Sequence, residues 1–124
     1  MAMQDPNIHE THDMVSSDNV IGTRVYDPSG EHIGKVERIV LEKRGGRVAY
    51  AVLSFGGFLG IGDDHYPLPW AKLDYDESLN GFRIDLTKEQ LEGAPSYPRT
   101  EDYDWSGDRG RRIYDYYDVP PYWI

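Results

Sequence analysis

Five stretches of this 124-residue chain hold residue types that could do chemistry. His9-Glu10-Thr11-His12 places two imidazoles three apart, where one helical turn would bring both to a single metal ion. It departs from the His-Glu-x-x-His zinc signature because the second histidine comes one residue early. Its surroundings are polar and aperiodic, so it reads as part of a solvated arm. Asp63-Asp64-His65 sets carboxylate oxygens beside an imidazole, but no further ligand follows at a useful spacing, and a polar loop exit accounts for it. Gly57-x-x-Gly60-x-Gly62 would let a backbone approach phosphate closely. No Lys-Ser/Thr follows, no helix begins there, and two aspartates would repel the anion, so it is neither a P-loop nor a dinucleotide fingerprint. Asp74, Asp76, Glu77 and Asp85 could share acid and base roles in pairs. They fall at expected strand ends and turns, where solubility explains them, and no Ser/His/Asp order suggests a triad. Arg109-Gly110-Arg111-Arg112 beside Tyr114, Tyr116 and Tyr117 imitates an aromatic-basic RNA contact. Asp104, Asp108, Asp115 and Asp118 oppose that, and ion pairing within or between chains is the better reading. No catalytic residue, cofactor-binding residue, metal ligand or cofactor is therefore expected.

Bulk composition points the same way. Thirteen basic against 22 acidic residues give a formal charge of −9, which opposes direct binding of nucleic acid or anionic lipid and suits a basic partner. With no cysteine the chain has no disulfide, thiolate metal site or cysteine nucleophile, which fits a reducing cytoplasmic location. No apolar run approaches 18 residues, and the N-terminus has neither a basic nor an apolar leader region. Neither membrane insertion nor a secretory signal is expected.

The elements that would position these groups are mostly strands. Residues 20–26 read as the first strand, and Asp27-Pro28-Ser29-Gly30 has the residue order of a type I turn. Residues 31–43 read as a second strand whose apolar positions change phase, with Ile33, Ile39 and Leu41 in one register and Val36 and Val40 in the other. A bulge is expected partway, and a short helix is the competing reading, against which Gly34 and the run Ile39-Val40-Leu41 favour strand. Lys43-Arg44-Gly45-Gly46 turns the chain into 48–55, apolar on both faces, a pattern only a central strand tolerates. Pro67 and Pro69 place the next strand at an edge, and Leu73 and Tyr75 continue it after Ala71. Asn80-Gly81 signals a hairpin into Phe82, Ile84 and Leu86. Thr87 and Gln90 fit a capping box, with Leu86 and Leu91 as a staple across it and Gly93 and Pro95 stopping the helix.

Two stretches carry more apolar surface than loops usually do. Residues 56–62 hold four glycines together with Phe58, Leu59 and Ile61, and read as a folded flap that packs on its own barrel or on a partner. Residues 96–124 hold six of the ten tyrosines and two of the three tryptophans, Trp105 and Trp123, without the periodicity of a regular element. That much aromatic area is expected to dock on a barrel, its own or a neighbour's. A short helix is expected near 110–117, ended by Pro120 and Pro121. The organisation expected is a flexible N-terminal arm over 1–18, a barrel domain over 19–95 and an aromatic-rich C-terminal extension over 96–124.

Three blocks in order carry a resemblance to a known family: Gly22-Thr23-Arg24-Val25-Tyr26-Asp27, then Gly30-Glu31-His32-Ile33-Gly34-Lys35-Val36, then Gly57-Phe58-Leu59-Gly60-Ile61-Gly62 leading to Pro67-Leu68-Pro69-Trp70. Together they resemble the PRC-barrel domain. The resemblance implies an all-β fold, a small, strongly bent antiparallel sheet closed into a barrel, here with a short capping helix and the aromatic tail. The family includes the cytoplasmic domain of the photosynthetic reaction-centre H subunit and the C-terminal domain of a ribosome-maturation factor that binds a small-subunit ribosomal protein. It also includes many stand-alone bacterial proteins of unassigned role, which this chain resembles most. The H subunit's membrane helix and the maturation factor's separate N-terminal domain have no counterpart here, so neither task carries over.

What the resemblance implies is a mode of action, a barrel that binds protein without an active site. The function expected is a non-catalytic interaction or adaptor module that self-associates as a homodimer or higher assembly. Phe58, Leu59 and Ile61 are expected to form an apolar contact, with Trp105, Tyr116, Tyr117 and Trp123 as aromatic anchors, and with a further protein partner unidentified. The alternative is an accessory factor in ribosome or RNA maturation that binds a basic ribosomal protein.

Overall fold

A computed structural model describes residues 14–55, 64–98 and 107–120. Its elements in chain order are a helical turn α1 (Ser17–Val20), strands β1 (Arg24–Tyr26), β2 (His32–Leu41), β3 (Val48–Ser54) and β4 (Tyr66–Pro69), a 3-10 turn (Trp70–Lys72), strands β5 (Leu73–Asp76) and β6 (Gly81–Ile84), and helices α2 (Lys88–Glu92) and α3 (Gly107–Tyr116).

The local signals in the sequence produce the connections. Asp27 begins the first turn, with Gly30 N–H donating to its carbonyl at 2.9 Å and Gly30 itself at φ +89°. The Asp27 carboxylate accepts from Ser29 Oγ, Ser29 N–H and Glu31 N–H, and these donors hold its carboxyl below the ordinary value. A later hairpin joins β5 to β6 through 77–80. Here Asn80, at φ 55°, takes the left-handed position while Gly81 is already in the strand, so the connection is longer than the two-residue turn that Asn-Gly most often makes.

β2 shows why its apolar pattern changes phase. It pairs antiparallel with β3, but the register slips between Val36 and Arg38, leaving Glu37 as the extra residue, and slips again between Val40 and Leu41. Each slip bends the strand, which lets β2 pair with β1 near one end and with β3 along most of its length. β3 lies between β2 and β4, and its Ala49, Tyr50, Ala51, Val52 and Leu53 are all buried. β4 ends the sheet at the expected edge, where prolines at 67 and 69 leave no ladder donor unmet.

The six strands run in the order β4-β3-β2-β1-β6-β5. A flat sheet of six strands would hold its edges about 24 Å apart. Yet the chain passes from edge strand β4 to edge strand β5 through only the 3-10 turn Trp70–Lys72, which spans at most about 14 Å. The sheet must therefore curl so that its edges approach at this end, giving a half-barrel. The Trp70 ring meets Phe82 of β6 edge-on at 5.6 Å across that closure.

Two details differ from the sequence reading. Leu73 and Tyr75 do not extend the strand of Pro67 and Pro69, because the 3-10 turn breaks it and moves the chain to the opposite edge. The sheet is also mixed rather than wholly antiparallel, since β1 and β6 pair in parallel, Val25 with Phe82 and Tyr26 with Arg83. The causes are linked. β5 keeps the sense of β4, so the hairpin that follows sends β6 back along the direction of β1.

The interior is filled by its own side chains, with Val25, Val36, Ala51, Leu53, Leu68 and Ile84 fully buried. α1 starts at Ser17, inside the expected arm, and buries Val20. α2 forms with the expected capping box, Gln90 N–H donating to Thr87 Oγ1 at 3.1 Å and Thr87 N–H to Gln90 Oε1 at 2.8 Å, and it buries Leu91.

Candidate interaction surface

The broadest described feature outside the barrel is the face of β3 and β4 under α3. Residues 110, 113, 114 and 117 recur at i, i+3, i+4 and i+7, the spacing that puts side chains on one side of a helix. Gly110, Ile113, Tyr114 and Tyr117 are all buried, and the helix packs against β4. Gly110 has no side chain to hold the helix away, so its backbone lies close. The Tyr114 hydroxyl donates to the Ala49 carbonyl of β3 at 2.6 Å, and its ring meets Tyr50 edge-on at 5.4 Å. At the same end Tyr116 donates its hydroxyl to the Gln90 carbonyl of α2. The described part of the aromatic tail, 107–120, therefore docks on its own barrel.

This helical stripe is hidden in the sequence because its first position is glycine and because exposed Tyr116 interrupts the apolar count. Ile113 is the residue that sequence reasoning passed over, and Gly110 and Tyr114 are read there only as neighbours of the arginines, not as one contact face. The signal that could have found them is the 3.6-residue period with glycine scored as a contact position.

The seven predicted interaction residues separate. Phe58, Leu59, Ile61, Trp105 and Trp123 lie outside the described residues. Tyr116 is 41% exposed and Tyr117 is 4% exposed. Tyr117 is committed to the chain's own interior, with its ring edge-on to Tyr116 at 5.0 Å. Among the described residues its buried hydroxyl has no hydrogen-bond partner, and burial, with Tyr116 and Tyr66 nearby, pushes its phenol well above the ordinary value. Burial likewise raises Tyr66, opposed by a hydrogen bond from Ser96, with Asp64 and Glu92 adding to the rise.

Of the stretches singled out for chemistry, the described residues can be placed. His65 is buried, and its backbone forms a two-way bridge with Tyr97, N–H to carbonyl at 2.8 Å and back at 3.0 Å. This bridge ties the segment after α2 to the start of β4. Asp64 faces Ser96 at 3.5 Å, Asp63 and the His9–His12 pair lie outside the described residues, and among those described no cluster of His, Asp and Glu suits a metal ion. An open groove of about 530 Å³ runs between 93–96 and α3, where Arg109, Arg112, Asp115 and Tyr116 line it. It holds one carboxylate, whereas acid–base work by paired carboxylates needs two that converge.

Asp76 is held by its own hairpin. It accepts from Ser78 Oγ at 2.6 Å, Ser78 N–H at 2.9 Å, and Arg83 Nη2 at 2.9 Å and Nε at 3.2 Å. The Ser78 hydroxyl first, then Arg83, pull its carboxyl down to about 2. A depressed carboxyl contributes stability that is present above the ordinary value of 3.8 and is lost as pH falls through about 2. A carbon-detected NMR titration is expected to show the Asp76 midpoint near 2, and Ser78→Ala is expected to move it upward. An unchanged midpoint in the variant would remove Ser78 as the main cause.

Comparison with known proteins agrees with this architecture. A family model described as the PRC-barrel domain matches residues 12–91, more than half of the chain. No curated protein matches the chain.

Proposed function

The chain belongs to the PRC-barrel domain family, and from that premise we propose that it is a non-catalytic protein-interaction module that pairs with a second copy of itself, most simply as a twofold dimer. The observation that carries this reading is a barrel whose described interior is occupied by its own buried side chains, in a chain whose glycine-rich stretch 56–62 bears Phe58, Leu59 and Ile61. A barrel this small, filled from within, leaves its outer surface and loops as the means of recognition. Three large apolar side chains within four residues are better covered by protein than left to water. Tyr116, Trp105 and Trp123 are the further anchors in this reading, since aromatic side chains concentrate binding energy at interfaces. Tyr117 acts from beneath, by holding α3 in place. The cysteine-free composition suits the cytoplasm. Among the described residues no helix is long and apolar enough to cross a membrane.

Phe58→Asp is expected to halve the mass measured by light scattering, because the new carboxylate would need to be desolvated in the contact. An unchanged mass would remove this connection from the interface. The charge of −9 favours a second reading, in which the module binds a basic ribosomal protein as an accessory factor in ribosome or RNA maturation. Affinity capture with and without nuclease separates the two. Ribosomal proteins retained after nuclease would favour the second reading, and recovery of the chain with only its own copies would favour the first.

A further inference from the structure

We propose that the outer edge of β5 is a docking site for an extended segment of another protein, one whose side chains alternate basic and apolar, and that this segment adds to the sheet as a further strand. The inference rests on the interaction-module reading above and names a surface and a class of partner which that reading leaves open. It does not require self-association.

A strand at a sheet edge presents backbone N–H and C=O groups that a neighbouring strand would otherwise take up. The two edges of this sheet differ in that respect. At β4, Pro67 and Pro69 supply no N–H, the bridge between His65 and Tyr97 lies at the strand's start, and α3 packs on it. At β5, among the described residues, the only strand partner is β6. β5 is Leu73-Asp74-Tyr75-Asp76, without proline, and it pairs with β6 without a register slip. All four residues keep their N–H donors, and those of alternate residues point away from β6.

The two faces of β5 set what an added strand must carry. Residues opposite each other across a pair share a face. Leu73 lies opposite Ile84 and Tyr75 opposite Phe82, so both look toward the core side. Leu73 is buried, whereas Tyr75 is 49% exposed. The Tyr75 ring meets Phe82 edge-on at 5.5 Å and its hydroxyl donates to Asn80 Oδ1 at 2.9 Å, which fixes an aromatic surface at the edge. Asp74 and Asp76 take the other face. Ser78 and Arg83 hold Asp76, but Asp74 is exposed and makes no ion pair among the described residues. Exposed Glu77, just beyond the strand, adds to the negative charge there. A strand laid along this edge therefore sets apolar side chains beside Tyr75 and basic ones beside Asp74, in the period-two order of an extended chain.

The same charges argue against a second copy in this place. Pairing β5 with another β5 would set the acidic face of one strand against the acidic face of the other, and like charges directly opposite are destabilising. The edge is closed to its own kind and open to a basic strand.

The test uses the full chain and a short capped peptide in which lysine and valine alternate. Hydrogen exchange followed by NMR is expected to slow at least tenfold for the outward amides of 73–76 at saturating peptide, with β4 unchanged. A peptide with glutamate in place of lysine is expected to bind at least tenfold more weakly. So is a peptide with the lysines and valines in separate blocks, which distinguishes strand addition from general attraction to a chain of net charge −9. Asp74→Lys, at an exposed position, is expected to weaken the alternating peptide about fivefold and to strengthen the glutamate peptide, with Asp74→Asn between. No added protection in 73–76, or equal binding of the alternating and blocked peptides, overturns the proposal. Protection at β5 in a chain that proves monomeric keeps the edge site and removes self-association, and a dimer whose β5 amides gain no protection does the reverse.

Discussion

Replacing Ile113 with aspartate unseats α3 and leaves the barrel folded. Ile113 is fully buried between the helix and the sheet, so the change removes apolar contact and places a carboxylate where no water solvates it. The expected cost is about 4 kcal/mol, from the lost transfer energy of the isoleucine together with the desolvation of the charge. Tyr114 and Tyr117 also hold the helix, but they lie on the same buried face that the charge would force open. At ten residues the helix is below the length at which isolated helices persist in water, and it contains two glycines. Its amides are therefore expected to exchange hydrogen as fast as those of an unstructured peptide. Those of β2 and β3, whose pairing does not involve α3, are expected to keep their protection. Ile113→Val, which keeps the shape and drops one methylene, is expected to cost about 1 kcal/mol and to leave the helix protected. Full protection of α3 in the aspartate variant would show that Ile113 does not hold the helix.

Gly34→Ala acts on the barrel itself. A Cβ at this position would lie 2.2 Å from the Ser54 carbonyl oxygen, 2.9 Å from Phe55 Cδ1 and 3.2 Å from Phe55 Cα. Two of these neighbours are backbone atoms of the chain leaving β3, so no side-chain rotation relieves the contact. Gly34 pairs with Val25 of β1 while its neighbour Lys35 pairs with Ser54 of β3, so the bent strand is pressed from both sides here. Moving it away would disturb both ladders. The expected loss is about 3 kcal/mol by chemical denaturation, at the upper end for an overpacked core. Gly46→Ala is the contrasting control. No atom lies within 4 Å of its Cβ, and only the strain of φ +76° opposes the change, at a cost of about 1 kcal/mol. Equal losses at the two positions would refute the steric argument.

Much of this fold was legible from residue types. The doubly apolar run at 48–54 could only be a central strand, and it is one. The phase change in 32–41 required a bulge, and the pairing slips at Glu37. Thr87 and Gln90 announced their capping box. The docking of the tail was half visible, since its aromatic content demanded cover without saying which surface would supply it. Phe58, Leu59 and Ile61 stand out for a different reason, because they depart from what a loop normally contains, and their role is a proposal about a partner.

The sequence by itself determined the turns, the cap, the buried strand and the family of the domain. Each of these is a property of residues within a few positions of one another, where dihedral preference and side-chain period act directly. Only the tertiary structure decided that β5 lies across the sheet from β4, that β6 runs parallel to β1, and that Tyr114 finds Ala49 and Tyr50. Those outcomes join segments tens of residues apart. They follow from how a curled sheet brings its edges together and which apolar face remains to be covered, and no short stretch of sequence carries that information alone.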